Sequence, residues 1–232
     1  MISQVLPYLQ HGDIAGALTV ALGFGIAIIL GISLHEFAHA IVAYRLGDLT
    51  PLRDGRVTIN PLAHFDMFGT LLILLVGFGY GRPVLVNPYN FRMDRRWGMA
   101  LVAVAGPITN IIIAVVFGLA LRVLLGVVQN GSSAPSEGLL MVIQIFAIIV
   151  SLNITLAIFN MIPFPPLDGS KVLLALLPGE MAYRVERFYI STQQFGLIVV
   201  MILFWFAGSF IGSLIAGPTN ALFTLIVGQP LY

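Results

Sequence analysis

The feature that most restricts what this chain can form is an uncharged apolar stretch, residues 14–34, that leads directly into a polar pentapeptide. A helix needs about 20 apolar residues to cross the hydrocarbon of a bilayer, and this stretch supplies them. The pentapeptide is His35-Glu36-Phe37-Ala38-His39. On a helix, residues four positions apart share a face, so His35 and His39 can both offer an imidazole nitrogen to one metal ion. Glu36 lies beside them as a candidate general base.

The composition indicates an integral membrane protein whose partner is the lipid bilayer. Of 232 residues, 59% are hydrophobic and 9% are charged, whereas soluble domains carry about a quarter charged residues. The net charge of +1 leaves no basic surface for nucleic acid, so a nucleic-acid partner is not expected. The chain has no cysteine, so disulfides are excluded and any zinc must be held by His, Asp or Glu.

The apolar segments predict an all-α, polytopic membrane helix bundle. We expect one membrane-embedded domain over residues 1–232, with its core at about 14–177, because no segment is large enough to fold alone. A shorter apolar segment at 68–78 predicts a re-entrant piece, and the alternating residues within 49–66 predict a strand or small β-hairpin. Residues 179–194 predict an interfacial helix. The full spans are expected at residues 14–44, 98–128, 139–161 and 195–215.

The arginines predict how the chain is oriented in the membrane. If residues 68–78 cross, the arginines split between the two sides; if they do not cross, nine arginines share one side and only Arg122 opposes them. The positive-inside rule favours the second arrangement, with the amino terminus outside. At 1.5 Å per residue, His39 then lies roughly 9 Å and His35 roughly 15 Å from Arg45. The histidine motif is therefore expected within the bilayer, nearer the cytoplasmic face.

A catalytic zinc ion normally takes three protein ligands, and Asp168 is the candidate for the third. It follows Pro163, Pro165 and Pro166, which break a helix within an apolar region. An ionised group in the membrane costs several kcal/mol unless it is paired or bound to metal, and irregular backbone at this depth is tolerated only beside protein or a water-filled cavity. The alternative is that Asp168 caps the short helix that starts at Gly169.

Three further polar residues are candidate site residues with structural alternatives. Asn160 can donate its amide to a substrate carbonyl or a developing oxyanion, and Asn110 can hold a ligand or a substrate strand. Both asparagines can equally form hydrogen bonds between helices. His64 can be an additional metal ligand, a gate over the cavity or a simple turn residue, and the turn interpretation is favoured.

Three sequence blocks occur in order on successive spans. They are H-E-x-x-H at 35–39, G-P-x-x-N at 106–110 and N-x-x-P-x-P-x-x-D-G at 160–169. Together they resemble the site-2 protease family of intramembrane zinc metalloproteases, in its small bacterial form without a PDZ or CBS domain. The resemblance implies one zinc ion per chain, with His35, His39 and Asp168 as ligands and Glu36 as the base. It also implies that Asn160 assists at the cleavage site.

The expected function is that of a zinc-dependent endopeptidase that cuts membrane protein substrates in or near their transmembrane segments. Zinc would activate a water molecule, and Glu36 would take its proton and return it to the leaving amine. The resemblance implies cleavage near the cytoplasmic face of a prokaryotic inner membrane. The alternatives are an ion or metal transporter, which would show repeated halves, and an inactive protease-like scaffold. The sequence names neither the substrate nor the oligomeric state.

Overall fold

The structure, a computed structural model, describes the backbone of residues 2–76, 81–192 and 196–231, and the side chains of most of these. Within these ranges the chain is helical, with short connections between the helices. The helices are α1 Ile2–Gln10, α2 Ile14–Arg45, α3 Thr50–Arg53, α4 Met67–Val76, α5 Arg95–Asn130, α6 Glu137–Asn160, α7 Asp168–Leu176, α8 Gly179–Thr192 and α9 Gly196–Val227.

Among the described residues, three helices are long and apolar enough to cross a membrane, and they form the centre of the fold. They cover Ile14–Leu46, Arg95–Asn130 and Glu137–Asn160, so the first three predicted spans are confirmed as membrane-capable helices, to within about three residues at each end. Helices α2, α5 and α6 pack against one another in all three pairs, while α7 packs against α5 and α9 packs against α5 and α6. The site described below lies where α2, α5 and α7 meet.

The fourth predicted span overlaps α9, but it is not confirmed. The first residue of that prediction, Phe195, lies outside the described residues, and α9 continues beyond residue 215 to Val227. Within α9, the described side chains form an apolar helix over Gly212–Val227, and this piece is shorter than a span. The predicted interfacial helix corresponds to α8, Gly179–Thr192.

The β-hairpin predicted within residues 49–66 is wrong, because the described part of the chain contains no strand there or elsewhere. This segment instead forms α3 and a single 3-10 turn, Pro61–Ala63. A buried guanidinium explains the difference: Arg56 donates hydrogen bonds to the carbonyl oxygens of Ala63 and Arg82. A side chain thus satisfies backbone oxygens that a paired strand would otherwise have to satisfy.

The short apolar segment at 68–78 forms α4, whose first turn is capped by Asp66. The carboxylate of Asp66 accepts a hydrogen bond from the Gly69 amide at 2.8 Å. Ten residues of helix extend about 15 Å, half of the roughly 30 Å of bilayer hydrocarbon, and α4 contacts α1. Residues 77–80 lie outside the described residues, so the re-entrant course of this segment stays a prediction.

Candidate metal centre

The two histidines of α2 lie one helical turn apart and are almost completely buried. Their ring centroids are 4.6 Å apart with the rings nearly perpendicular, and the residues expose only 8% (His35) and 7% (His39) of their surface. Burying two imidazoles within a span is costly unless each finds polar partners. The polar partners of each ring therefore indicate the function of the two histidines.

The carboxylate of Asp168 closes the site from the opposite side. Its Oδ2 atom lies 3.1 Å from His35 Nε2 and 3.2 Å from His39 Nε2. The structure thus brings all three sequence-predicted ligands together, with one ligand atom from each within 4.8 Å of the others. The capping alternative for Asp168 does not hold, since Leu167 is the N-cap of α7 and no side chain caps that end.

The polypeptide after α6 places Asp168 through a very close backbone contact. A Cβ atom added to Gly169 would lie 2.2 Å from the carbonyl oxygen of Met161 and 2.6 Å from that of Ile162. Only glycine allows α7 to approach the end of α6 this closely. Gly169 therefore fixes the start of α7, and with it the position of the carboxylate.

The far end of α7 is held by an arginine of α5. The Nε atom of Arg96 donates to the carbonyl oxygen of Leu174 at 3.1 Å, and its guanidinium also bonds the carbonyl oxygen of Leu177. The last carbonyls of a helix have no partner within the helix, so a cation placed there both satisfies them and complements the helix dipole. Arg96 thereby fastens α7 to the start of α5.

The outer nitrogens of both imidazoles face hydrogen-bond acceptors. His39 Nδ1 lies 2.7 Å from the carbonyl oxygen of Val102, and His35 Nδ1 lies 2.6 Å from the side-chain oxygen of Asn110. A carbonyl oxygen only accepts, so Nδ1 carries the proton in each ring and Nε2 presents its lone pair inward. A metal-binding histidine needs this tautomer.

The space between the two Nε2 atoms is kept open by Gly106 of α5. A Cβ atom at this position would lie 2.5 Å from His35 Nε2 and 2.6 Å from His39 Nε2. The spacing of the ligand atoms also suits zinc, because ligands on tetrahedral bonds of about 2.0 Å lie about 3.3 Å apart. Two imidazole nitrogens and one carboxylate oxygen form a donor set typical of catalytic zinc, so these residues fit the ion.

Glu36 is partly exposed and lies beside the segment that follows α4. A Cβ atom at Gly81 would lie 2.6 Å from Ile32 and 3.7 Å from Glu36 Cγ, so this backbone passes directly over the motif. His64 supports the same segment, since its carbonyl oxygen accepts a hydrogen bond from the amide of Arg82 at 2.8 Å.

The ring of His64 is fully buried and is turned toward Thr58. Its Nε2 atom lies 2.7 Å from the carbonyl oxygen of Thr58. Among the described residues His64 is not part of the group that could hold a metal ion. The structure therefore shows it in a turn next to the site, which is the favoured interpretation of the sequence, and the gate function stays a prediction.

The two sequence-predicted asparagines occupy different surroundings. Asn110 is fully buried and contacts His35, Gly31 and Asn153, so it forms hydrogen bonds between helices. Asn160 lies at the end of α6, where its amide donates to the carbonyl oxygen of Leu156, one turn earlier in the same helix, at 2.9 Å.

One residue of the site was missed by the sequence analysis. Lys171 is the single lysine of the chain, and its ammonium lies 3.1 Å from Asp168 Oδ1. Oδ2 of the same carboxylate faces the imidazoles, so the lysine engages the oxygen that points away from them. The spacing of Asp168 and Lys171 could have predicted this ion pair, since residues three apart on a helix are neighbours.

Comparison with known proteins agrees with this geometry. The family model described as "Peptidase family M50" matches residues 23–205, which include the histidine motif and Asp168. No solved structure gives a significant match.

Three relatives illustrate the similarity. "Putative zinc metalloprotease YwhC" of Bacillus subtilis is 39% identical over 77% of this chain and 78% of its own length. Rip2 of Mycobacterium tuberculosis, also named as a zinc metalloprotease, is 28% identical over 78% of this chain and 68% of its own length. MJ0611 of Methanocaldococcus jannaschii is 32% identical over 64% of this chain and 67% of its own length. These matches do not favour the transporter or the inactive scaffold, and the chain therefore belongs to peptidase family M50, the zinc metalloproteases of the membrane.

Proposed function

We propose that His35, His39 and Asp168 hold one catalytic zinc ion, and that Glu36 is the general base of an intramembrane endopeptidase. The observation that carries the proposal is the convergence of three ligand atoms, from two separate helices, within 4.8 Å of one another. These atoms lie on or against a helix that is apolar enough to span a bilayer. A cation between these atoms would stabilise the buried cluster, because the lone pairs of both Nε2 atoms and Oδ2 of Asp168 face one another across a short distance.

The residues of the chain divide the work of peptide hydrolysis. When bound, zinc supplies a Lewis acid that polarises a carbonyl group and acidifies water. The carboxylate of Glu36 accepts a proton from the attacking water and donates it to the amine of the departing peptide. Glu36 follows His35 directly on α2, so its side chain leaves the helix about 100° away from that of the ligand. This direction supports Glu36 as a base beside the metal rather than a fourth ligand.

The surroundings of the site favour a substrate that comes from the bilayer. Helix α2 carries no charge over residues 14–34, and the site begins at the next residue. We propose that the substrate is a transmembrane segment that unwinds locally, since a helical carbonyl is bonded within its own helix and cannot meet the zinc ion. We further propose that Asn160 contacts the substrate backbone and that the segment containing His64 acts as a gate over Glu36.

We propose the same membrane orientation and location that the arginine distribution of the sequence predicts. Arg45 ends α2 less than two turns beyond His39, and the positive-inside rule assigns the arginine-rich side to the cytoplasm. The site then lies nearer the cytoplasmic face of a prokaryotic inner membrane. Labelling of single introduced cysteines with an impermeant reagent, at residue 53 and at residue 133, tests this orientation in intact cells.

The test of the catalytic assignment compares the parent chain with Glu36→Gln on a panel of single-span membrane substrates in liposomes. We expect Glu36→Gln to retain one zinc ion per chain and to lose cleavage, whereas Asp168→Ala loses both. Glu186→Gln, at an exposed position on α8, is the matched control and is expected to match the parent in both measurements. Cleavage by Glu36→Gln at the parent rate would refute the proposed role.

A further inference from the structure

Two buried asparagines connect the candidate zinc site to the third helix of the core. Asn110 of α5 and Asn153 of α6 are both completely shielded from solvent. Amide side chains at this depth are costly unless every donor and acceptor is paired. We refer to Asn110 and Asn153 as the asparagine pair. The hydrogen bonds of this pair fix which way each amide group is oriented.

The orientation of the Asn153 amide is set within its own helix, α6. The amide nitrogen of Asn153 donates to the carbonyl oxygen of Ile149 at 2.9 Å, so the side-chain oxygen of Asn153 points away from its own helix. That oxygen accepts a hydrogen bond from Asn110 Nδ2 at 2.9 Å. The other Nδ2 hydrogen of Asn110 goes to the carbonyl oxygen of Gly31, 3.1 Å away on α2.

Both hydrogens of the Asn110 amide are therefore used by acceptors on other helices. The amide can satisfy these two acceptors in one orientation only, and this orientation turns its oxygen toward His35 Nδ1, 2.6 Å away. If the amide turned over, its NH2 group would face the protonated Nδ1, and its oxygen would face the oxygens of Gly31 and Asn153. The pair thus determines which His35 nitrogen is protonated.

Close helix packing makes this arrangement available. A Cβ atom at Gly31 would lie 3.1 Å from Asn153 Oδ1 and 3.5 Å from Asn110 Nδ2, so the backbone of α2 reaches the asparagine pair because residue 31 has no side chain. Gly31 and His35 are four residues apart, as are Gly106 and Asn110, so each glycine lies on the same helix face as the polar residue that follows it.

We infer that Asn153 is a positioning residue of the metalloprotease: through Asn110 it holds His35 in the tautomer that presents Nε2 to the zinc ion. The hydrogen bonds of Asn153 go to Asn110 and Ile149 and not to the imidazole, so it acts by fixing the orientation of the Asn110 amide. This inference rests on the proposed zinc site. Outer partners of metal-binding histidines change metal affinity by about 10- to 100-fold when they are removed.

The test measures zinc affinity by chelator competition, together with the His35 Nδ1 proton resonance in zinc-loaded protein labelled with 15N-histidine. Two variants distinguish positioning from simple packing. Asn153→Leu keeps the branching of the side chain, with a larger volume, and removes the acceptor, whereas Asn153→Asp keeps the acceptor for Asn110 but adds a buried charge. Thr155→Val, which removes a hydroxyl that donates to the carbonyl oxygen of Ser151 on the same helix, is the matched control.

We expect Asn153→Leu to weaken zinc binding about 10- to 100-fold and to broaden the His35 Nδ1 proton signal through faster exchange with water. We expect Asn153→Asp to stay closer to the parent in both readouts, and Thr155→Val to equal it. A packing function predicts the reverse order, since a buried charge disturbs a membrane helix more than leucine does.

Three results would overturn the inference. The first is parent-like zinc affinity and Nδ1 signal in Asn153→Leu, and the second is a larger loss in Asn153→Asp than in Asn153→Leu. The third concerns the case in which Asn153→Leu does not fold, so that Asn153→Asp alone tests the inference. Loss of the His35 Nδ1 proton signal in Asn153→Asp would then contradict the proposed function of Asn153. A parent chain that binds no zinc would instead refute the underlying zinc site, so the two failures are distinguishable.

Discussion

Replacing Gly106 with alanine tests whether the space between the two histidines is a metal site. The new Cβ atom would lie 2.5 Å from His35 Nε2 and 2.6 Å from His39 Nε2. Non-bonded heavy atoms in favourable contact are about 3.5 Å apart, so each ring must move by about 1 Å or turn away. Either movement turns the Nε2 lone pairs of both histidines away from the point that they share with Asp168. The new methyl group itself occupies the space between the two Nε2 atoms.

We expect Gly106→Ala to weaken zinc binding by at least about 100-fold, which corresponds to about 2.8 kcal/mol. Loss of an outer hydrogen bond alone costs 10- to 100-fold, and here the ligand atoms themselves are displaced. The assay is competition with a chromophoric chelator in detergent solution, with zinc content measured on the same samples. Proteolysis is expected to fall with zinc occupancy and to recover in part at high zinc concentration.

A control on the same helix separates this effect from a general effect of substitution. Gly126 also lies in α5, and a Cβ atom there would meet no atom of the described residues within 4 Å. Alanine is favoured over glycine in a helix by about 1 kcal/mol, so Gly126→Ala is expected to keep the parent zinc affinity and at least the parent melting temperature. Zinc binding by Gly106→Ala at the parent affinity would refute the assignment of this space to the metal.

Three further substitutions test how the site is held. Gly169→Ala is expected to lower both the melting temperature and the zinc affinity, because its Cβ atom would lie 2.2 Å from the Met161 carbonyl oxygen and push α7 away; an unchanged melting temperature contradicts this. Lys171→Met frees the outer oxygen of Asp168 and is expected to reduce zinc affinity about 10-fold in chelator competition, and parent affinity would show that the ion pair does not contribute. Asp48→Asn should cost about 2 kcal/mol in the free energy of unfolding at neutral pH. Burial raises the pKa of Asp48, but four hydrogen bonds outweigh it and hold that pKa below its usual value. Its stabilisation is therefore complete above about pH 4 and is lost as the pH falls through the folded-state pKa, so the melting temperatures of the parent and the Asn variant should converge in acid.

The spans and the ligand set were predictable because each follows from a local pattern. Long uncharged segments must become helices in a bilayer, since no other backbone partner exists there. The helical repeat then places His35 and His39 on one face. Asp168 was identifiable because an acidic residue after three helix-breaking prolines in an apolar region needs a counter-charge.

The errors concern contacts that depend on how distant segments pack. Alternation of apolar and polar residues around position 58 favoured a strand, but Arg56 from the same segment takes up the carbonyl oxygens that pairing would use. The contact of Asn110 with His35 joins residues 75 positions apart, and no local pattern specifies it. The four-residue spacing of Gly106 and Asn110 was the available signal. It places both residues on one face of α5, the face that packs against the histidines of α2.

X-ray absorption at the zinc edge, on zinc-loaded Glu36→Gln, tests the central claim most directly. The account predicts one zinc ion per chain with only nitrogen and oxygen ligands at about 2.0–2.1 Å, two of them imidazoles, and the same signal should disappear in His39→Ala. A first shell with three or more imidazoles would contradict the account, because it would require His64 or His11 in addition to the pair on α2. A shell without imidazole would contradict it equally.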